Sequence, residues 1–238
     1  MKRSKTACLT LMLMTTSLFW LGIHPANSPS AARETPGPDA GQPDFQQLLE
    51  RMGVRYLPDE RRLEVDGWVN MQKGLIEVFA CAPDGKTHES VVVLDCVPSA
   101  VHAGLLALGL EPSGTDDADT TSQPQKGGAI VRVRWEDDTG TTHMARAEDW
   151  IWDERQKSTM PHVVWAFTGS FMQPTPGQPN EATYAANYVK SIVTTYHDMS
   201  AVIDNPLPEK EDDTIYYVNE TAVPPVKTPI TVWFEPVE

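Results

Sequence analysis

Two short apolar runs dominate the pattern of hydrophobic and polar positions in the first half of the chain. Residues 75–82 (LIEVFACA) are apolar apart from one glutamate, and residues 89–96 (ESVVVLDC) are rich in β-branched side chains. Both runs have the length and composition of buried strands. The Asp84-Gly85 pair between them is a strong turn signal, so the pattern predicts an antiparallel hairpin.

A helix is predicted directly after the second run. Pro98 ends the strand, Ser99 has the side chain of a helix N-cap, and residues 100–108 are mostly good helix formers. Gly109 suits the left-handed residue that closes a helix. Gly104 lies in mid-helix, where glycine costs about 1 kcal/mol relative to alanine. We therefore expect another element, the hairpin, to pack closely against it.

The remaining periodic segments are short and mostly of strand type. Apolar residues at helical spacing mark residues 45–52, whereas alternation marks strands in residues 62–71 and 129–135. Residues 142–147 return as the second arm of a hairpin. Further β-like runs cover residues 149–154, 163–170, 184–197 and 228–234. This layout predicts a β-rich α+β domain, with a mostly antiparallel sheet that curls or packs on itself and about three short helices.

The N-terminal pattern differs from the rest of the chain and indicates export. Three basic residues precede an apolar segment, residues 8–23, and small residues follow up to Ala32. This order is typical of a secretory signal peptide, and the apolar segment is shorter than the roughly 20 residues of a membrane span. We predict a signal peptide at residues 1–32, a flexible leader at 33–43 and a single domain at 44–238. The protein is then secreted or periplasmic, with no stable membrane span after cleavage.

Acidic residues outnumber basic ones. The formal net charge is −14, and removal of residues 1–32, which hold three basic and no acidic residues, leaves 16 Lys+Arg against 33 Asp+Glu and a net charge of −17. A nucleic-acid partner is therefore not expected. Residues 111–128 are polar, acidic and glycine-rich, which predicts a loose loop within the domain.

The predicted hairpin and helix carry the candidate chemistry. The hairpin register sets Cys81 opposite His88, and thiolate and imidazole donors would suit zinc or copper. One interpretation is a metal- or thiol-dependent enzyme with a site made of Cys81, His88, Glu89 and His102. In the alternative interpretation, His88 and Glu89 close a turn by hydrogen bonding and His102 is an ordinary residue in the first turn of a helix. The protein is then a binding or interaction module, which is the function we expect.

Cys81 and Cys96 are the two cysteines that follow the predicted signal peptide. An exported protein favours a disulfide, but the predicted hairpin separates the two residues by about 25 Å, at roughly 3.3 Å per residue. A disulfide needs Cα atoms within about 7 Å of each other. Either the strands are not hairpin neighbours or the cysteines are unpaired and buried, and we expect the second.

Four segments of the chain resemble one known family. They are Lys86-x-His88-Glu89-Ser90, Val101-His102-Ala103-Gly104, Arg146-Ala147-x-Asp149-Trp150 and Trp165-x-Phe167-x-Gly169-Ser170. In this order and spacing the chain resembles the YdjY-domain family of secreted bacterial proteins over roughly residues 67–236. The function of that family is undetermined, so the resemblance implies export but no reaction.

Two points separate this chain from the pattern and labels of that family. Tyr184-Ala185-Ala186-Asn187 stands where relatives have Tyr-x-Ala-Asp, which puts any chemical role of that aspartate in doubt here. Some relatives are labelled ferredoxin-like, but an iron–sulfur cluster usually needs four cysteine thiolates. With two cysteines after residue 32, no iron–sulfur cluster is expected. The partner remains an unknown protein or small-molecule ligand.

Overall fold

The computed structural model describes residues 44–113 and 127–237. The predicted signal peptide (residues 1–32) and leader (33–43) lie outside these ranges, as do residues 114–126 of the predicted loose loop. The described residues belong to one compact unit, Gln42–Glu238. No helix within the described ranges is long and apolar enough to cross a membrane.

Three α-helices and fifteen strands make up the regular structure of the described ranges. The helices are α1 (Phe45–Arg51), α2 (Pro98–Ala107) and α3 (Ala185–Val189). The strands are β1 (Arg55–Leu57), β2 (Arg62–Val69), β3 (Val78–Cys81), β4 (Ser90–Leu94), β5 (Gly128–Glu136), β6 (Thr142–Arg146), β7 (Ile151–Asp153), β8 (Ser158–Thr159), β9 (Trp165–Phe167), β10 (Met172–Thr175), β11 (Gln178–Tyr184), β12 (Ser191–Thr194), β13 (Ile203–Asp204), β14 (Tyr216–Val218) and β15 (Pro229–Val237). The predicted β-rich class with few short helices is confirmed.

The main sheet closes on itself into an eight-stranded barrel. Its order is β2-β15-β5-β9-β13-β12-β3-β4, β4 pairs back onto β2, and β1 and β6 branch from β2 and β5. Six of the eight pairings are antiparallel, whereas β12–β13 and β3–β4 are parallel. The mostly antiparallel arrangement is as predicted. The predicted curled or self-packed sheet is wrong, because the last strand returns to pair with the first.

Gly67 permits the contact that closes the barrel. Strands β2 and β4 pair from Gly67↔Leu94 to Val69↔Val92. A Cβ atom at Gly67 would lie 2.1 Å from the carbonyl oxygen of Val93, which is closer than two such atoms can approach. Glycine at this position therefore lets the backbone of β4 reach β2.

The predicted hairpin over residues 75–96 is wrong, because β3 and β4 are parallel, with Cys81 opposite Val93. A turn does form at Asp84-Gly85, where the Gly85 N–H donates to the Ala82 carbonyl at 3.1 Å. The chain then passes through the 3-10 turn Thr87–Glu89 and returns to the start of β3. Strand β12 takes the antiparallel place beside β3 instead. The turn residues fix the local backbone, but the tertiary pairing decides the strand direction.

Helix α2 begins one residue earlier than the predicted cap. Pro98 occupies the first helical turn, where its missing N–H is tolerated, and Val97 is an N-cap without a side-chain hydrogen bond. Ser99 therefore lies inside the helix, and its N–H donates to Oδ1 of Asn187 at 2.8 Å. The predicted cap by Ser99 is wrong, because a residue from a distant segment supplies the cap.

The barrel interior and the inner side of α2 share one hydrophobic core. Its largest fully buried side chains include Trp150, Trp165, Phe79, Phe167 and Phe234. Such burial contributes about 1.5–3 kcal/mol for each large apolar side chain. The elements that carry the candidate site are thus fixed by packing and not by loop geometry alone.

Gly104→Ala is expected to destabilise the protein, although alanine is the better helix former by about 1 kcal/mol. A Cβ atom at Gly104 would lie 2.7 Å from a methyl group of Leu63 in β2. Leu63, and not the predicted hairpin, is therefore the close neighbour. Overpacking a core costs roughly 1–3 kcal/mol, which outweighs the gain in helix propensity. Urea denaturation would measure the loss.

Leu63→Val provides the control for this prediction, because it removes a methylene-sized volume facing Gly104. In the Gly104→Ala background it should recover part of the lost free energy of unfolding. A Gly104→Ala variant that unfolds at higher urea concentration than the parent would contradict the packing.

Candidate functional site

The four site residues predicted from the sequence lie on three separate elements. Cys81 ends β3, His88 and Glu89 lie in the Thr87–Glu89 turn, and His102 lies in α2. No three His, Cys, Asp or Glu side chains of the described ranges are arranged to hold a metal ion. Cys81 lies opposite Val93 in the parallel pairing of β3 with β4, so the hairpin register that would set Cys81 opposite His88 does not exist.

Both cysteines are unpaired and buried, as expected. Cys81 packs with Trp68 and two valines in a small cluster separate from the main core, and burial raises the pKa of its thiol. Burial, and then the neighbouring carboxylate of Asp95, raise the pKa of Cys96 to about 12. Since the thiolate is the reactive form, burial disfavours reaction of both thiols near neutral pH.

His88 and Glu89 belong to a network of charges at the surface. The His88 side chain is 80% exposed, and its Nε2 lies 3.6 Å from Oε2 of Glu89. Lys86 Nζ lies 3.3 Å from Oε1 of Glu89 and 3.9 Å from carboxylate oxygens of Glu77 and Asp198. Exposed ion pairs of this kind contribute about 0–1 kcal/mol each. The arrangement fits a structural role for the turn.

His102 lies where three segments of the family pattern meet. Its Nδ1 lies 2.8 Å from the carbonyl oxygen of Gly169 and 2.7 Å from the hydroxyl of Tyr184. The Tyr184 hydroxyl donates to the same carbonyl at 2.8 Å. Because a carbonyl oxygen only accepts, we assign the ring proton to Nδ1, which leaves a lone pair on Nε2. The ring of Phe167 packs edge-on against His102, with centroids 5.3 Å apart.

The charge state of His102 follows from its surroundings. Burial lowers its pKa, and the hydrogen bond to Gly169 opposes that shift only in part. The ring is therefore neutral near pH 7. Both of its hydrogen bonds within the described ranges use Nδ1, so no serine or cysteine of those ranges is held on Nε2 as a nucleophile would be.

Asn187 joins α3 to α2. Its Oδ1 accepts from the N–H of Ser99 at 2.8 Å, and its Nδ2 donates to the Ser99 hydroxyl at 2.9 Å. The first bond satisfies one of the free amides in the first turn of α2, as a capping side chain does. An ionised aspartate at position 187 would accept both bonds and donate neither. The departure at Asn187 therefore changes the bond to Ser99 and keeps the cap.

A cleft of about 510 Å³ opens where the carboxyl ends of β3 and β4 meet, and we call it the strand-end cleft. Residues 82–84 follow β3 and residues 95–97 follow β4, while residues 50–53 and Lys190 complete its lining. Carboxyl ends of parallel strands lie at the same edge of a sheet, a common place for ligands. The volume falls within the range of about 300–1,000 Å³ found for small-ligand sites.

Backbone contacts fasten the walls of the strand-end cleft. The Val97 N–H donates to the Met52 carbonyl at 3.0 Å, and the Ala82 N–H donates to the Lys190 carbonyl at 2.8 Å. Gly53 allows one wall to approach, because a Cβ atom there would lie 2.1 Å from a backbone oxygen of the connection between β4 and α2. The cleft is thus built on barrel strands and helix ends.

Charged side chains of both signs line the strand-end cleft. They are Glu50, Arg51, Asp84, Asp95 and Lys190. None of them forms an ion pair or a side-chain hydrogen bond within residues 44–113 and 127–237. Three acidic and two basic residues therefore border the cleft, and all but the half-buried Lys190 are exposed to solvent.

Asp84 and Lys190 both have a left-handed backbone, with φ of 63° and 66°. Aspartate tolerates this conformation, whereas for most residues it costs about 1–2 kcal/mol. Lys190 is the C-cap of α3, where a left-handed residue is usually glycine. A Cβ atom at Gly85 would lie 2.7 Å from Cβ of Lys190, so glycine at position 85 allows the turn after β3 to pack against the end of α3.

A buried carboxylate elsewhere in the barrel carries no recognisable sequence pattern. Asp204 is fully buried, and its oxygens accept from His197 Nδ1 at 2.6 Å, Thr194 Oγ1 at 2.9 Å and the Asn205 N–H at 2.9 Å. Burial raises the pKa of Asp204, and His197, the ammonium group of Lys210 and Thr194 oppose the shift. The bonds fasten β12 to β13 and the next loop, which is a structural role.

Together, the fold and site define a β-rich barrel domain with three short helices and a charged cleft at the ends of two parallel strands. The YdjY domain matches residues 58–235. The chain belongs to the YdjY-domain family. The matched range contains the surroundings of His102 and all of the strand-end cleft except residues 50–53. No curated protein and no solved structure matches the chain.

Cys81 and Cys96 are expected to resist alkylation in the folded protein and to react after denaturation, because burial raises the pKa of both thiols. Iodoacetamide labelling followed by peptide mass mapping checks both sites in one experiment. The Cys81 and Cys96 peptides should each carry one label only when denaturant precedes the reagent. A linked peptide pair that forms without any oxidant would contradict the unpaired state.

His102 is expected to titrate below the ordinary histidine pKa of about 6.5, because burial disfavours the imidazolium. With its folded pKa depressed, its contribution to stability is present above about pH 6.5 and is lost as the pH falls through the folded pKa. NMR titration of the ring protons measures the pKa directly. His102→Gln, which can still donate to Gly169, should lose part of the pH dependence of unfolding. A His102 pKa at or above 6.5 would contradict the assignment.

Proposed function

We propose that this chain is an exported binding module that takes a small polar ligand in the strand-end cleft. Lys190 is the observation that carries the proposal. It has a left-handed backbone with φ of 66° at the end of α3, where glycine is less costly by about 1–2 kcal/mol. Its ammonium group has no partner within the described ranges. Ligand binding would explain why a lysine with an unpaired charge is kept at the cleft despite the cost of its left-handed backbone conformation.

Thiol and metal chemistry have less support. Both thiols have raised pKa values through burial, so neither is a ready nucleophile or ligand near neutral pH. The four residues of the metal- or thiol-dependent alternative lie on three elements. Binding at the strand-end cleft requires none of them to act together.

The strand-end cleft is favoured over a second cavity of about 420 Å³ beside Leu110 and Pro236. The charged residues that line the second cavity are Arg61 and Glu111. It offers fewer charged groups to a polar ligand than the strand-end cleft does.

Export forms part of the proposal. The order of basic residues, apolar segment and small residues in positions 1–32 supports a cleaved signal peptide. A net charge of −17 after its removal also suits a soluble exported protein without a nucleic-acid partner. N-terminal sequencing of the protein recovered from culture medium or periplasm tests this part separately.

Lys190→Gly is expected to impair binding while leaving the fold intact. Relief of the left-handed conformation, about 1–2 kcal/mol, offsets the greater chain entropy of glycine, about 0.5–1 kcal/mol. The free energy of unfolding should therefore stay within about 1 kcal/mol of the parent. Loss of the ammonium group should weaken binding of carboxylate probes about tenfold, as expected for one charge-assisted hydrogen bond.

The test is an NMR titration of backbone amides with probes of different charge: acetate, methylammonium, glucose and L-alanyl-L-alanine. Lys157→Gly is the matched control, because the backbone of Lys157 is also in the left-handed conformation, with φ of 54°, and Lys157 does not line the cleft. At least one probe should shift amides of the strand-end cleft, and Lys157→Gly should leave its affinity unchanged. If no probe shifts those amides, or if both glycine variants weaken binding equally, the proposal is wrong.

A further inference from the structure

We infer that the ligand of the strand-end cleft is zwitterionic: a short peptide of about two residues with a free amino terminus and a free carboxylate. This inference rests on the proposed function, since it names the class of ligand that the same cleft would take. Three features of the cleft support it: the signs of the charged residues in its lining, the cost of removing water from them, and its volume.

Residues with charges of both signs line the strand-end cleft. Gly85, the residue after Asp84, packs against Lys190, since a Cβ atom there would lie 2.7 Å from Cβ of Lys190. Asp95 and Arg51 belong to the other two segments, which are joined by the backbone bond between residues 97 and 52 at 3.0 Å. The lining as a whole therefore offers acidic groups for an amine and basic groups for a carboxylate.

Desolvation decides between a zwitterion and an ion of one sign. A ligand that fills the cleft removes water from the carboxylates and from the ammonium and guanidinium groups. A charged group that loses water without gaining a partner is costly. A simple anion would leave Asp84 and Asp95 without partners, and a simple cation would leave Lys190 without one. A ligand with both charges compensates both sets.

The size and the apolar part of the lining set the rest of the ligand. A volume of about 510 Å³ corresponds to a width of roughly 8 Å, which is the span of about two extended residues. Met52, Ala82, Pro83 and Val97 add apolar residues to the same lining. Small apolar side chains on the peptide would cover that surface.

Three dipeptides of nearly equal size test the inference: L-alanyl-L-alanine, its C-terminal amide and its N-acetyl derivative. They are a zwitterion, a cation and an anion at neutral pH. NMR titration of the exported protein should give the free dipeptide about tenfold tighter binding than either blocked form, since each block removes one charge-assisted contact.

Charge-removing variants assign the two ends of the peptide. Lys190→Gly should weaken the free and N-acetyl dipeptides and spare the amide. Asp84→Asn, which keeps a side chain that tolerates the left-handed backbone, should weaken the free dipeptide and the amide and spare the N-acetyl form. Lys157→Gly should change none of the three affinities.

The outcomes separate the inference from the proposed function. If a blocked dipeptide shifts the amides of the cleft and binds as tightly as the free one, the cleft binds a ligand but the zwitterionic class is wrong. If no dipeptide shifts those amides and acetate, methylammonium and glucose also fail, both the class and the binding function are wrong. If the dipeptides alone fail while another probe binds, only the class is wrong.

Discussion

The parallel pairing of β3 with β4 is the constraint on which the rest of the structure depends. It places β4 on the far edge of β3, from which β4 reaches β2 and closes the barrel. It also brings the carboxyl ends of both strands to one edge, so that residues 82–84 and 95–97 lie side by side. An antiparallel hairpin would have put these two segments at opposite ends. Closure of the barrel and formation of the cleft therefore have the same cause.

Small and amide side chains allow the chain to meet this constraint. Gly67 lets β4 approach β2, and Gly53 lets the end of α1 approach the connection after β4. Asn187 ties α3 to the first turn of α2, which holds the end of α3, and with it Lys190, beside the cleft. These contacts fix the structure around Lys190 on several sides, which allows its strained left-handed backbone conformation to persist.

Local sequence patterns predict much of the secondary structure. The period of apolar residues marks α1, β2, β5 and β15, and the turn after β5 marks its hairpin with β6. The pattern fails where local and tertiary signals compete. Asp84-Gly85 does turn the chain, but the direction of β4 is set by its pairing with β2. Residues 184–197 read as one β-like run because β12 is β-branched, and the short helix α3 before it is missed.

The site was harder to predict than the fold, because its residues are far apart in the sequence. The Val-His-Ala-Gly segment indicates His102, yet its partner Tyr184 lies 82 positions away, and only the Tyr-x-Ala-Asn segment points to it. Lys190 and Arg51 have no motif at all. The folded chain alone determines whether a charged group has a partner and whether the backbone of a lysine adopts the left-handed conformation. Cys81 and His88 are candidates by residue type, but the parallel pairing of β3 with β4 places Cys81 opposite Val93 and not opposite His88.

Binding at the parallel strand ends of this YdjY-domain protein is tested most directly by isotope-filtered NMR on labelled protein with unlabelled L-alanyl-L-alanine, because this experiment reports which protein atoms lie next to the peptide. If the strand-end cleft binds the peptide, we expect nuclear Overhauser contacts between the alanine methyl groups and the methyl groups of Met52 and Val97. Contacts confined to another surface, or none at saturating peptide, would contradict it.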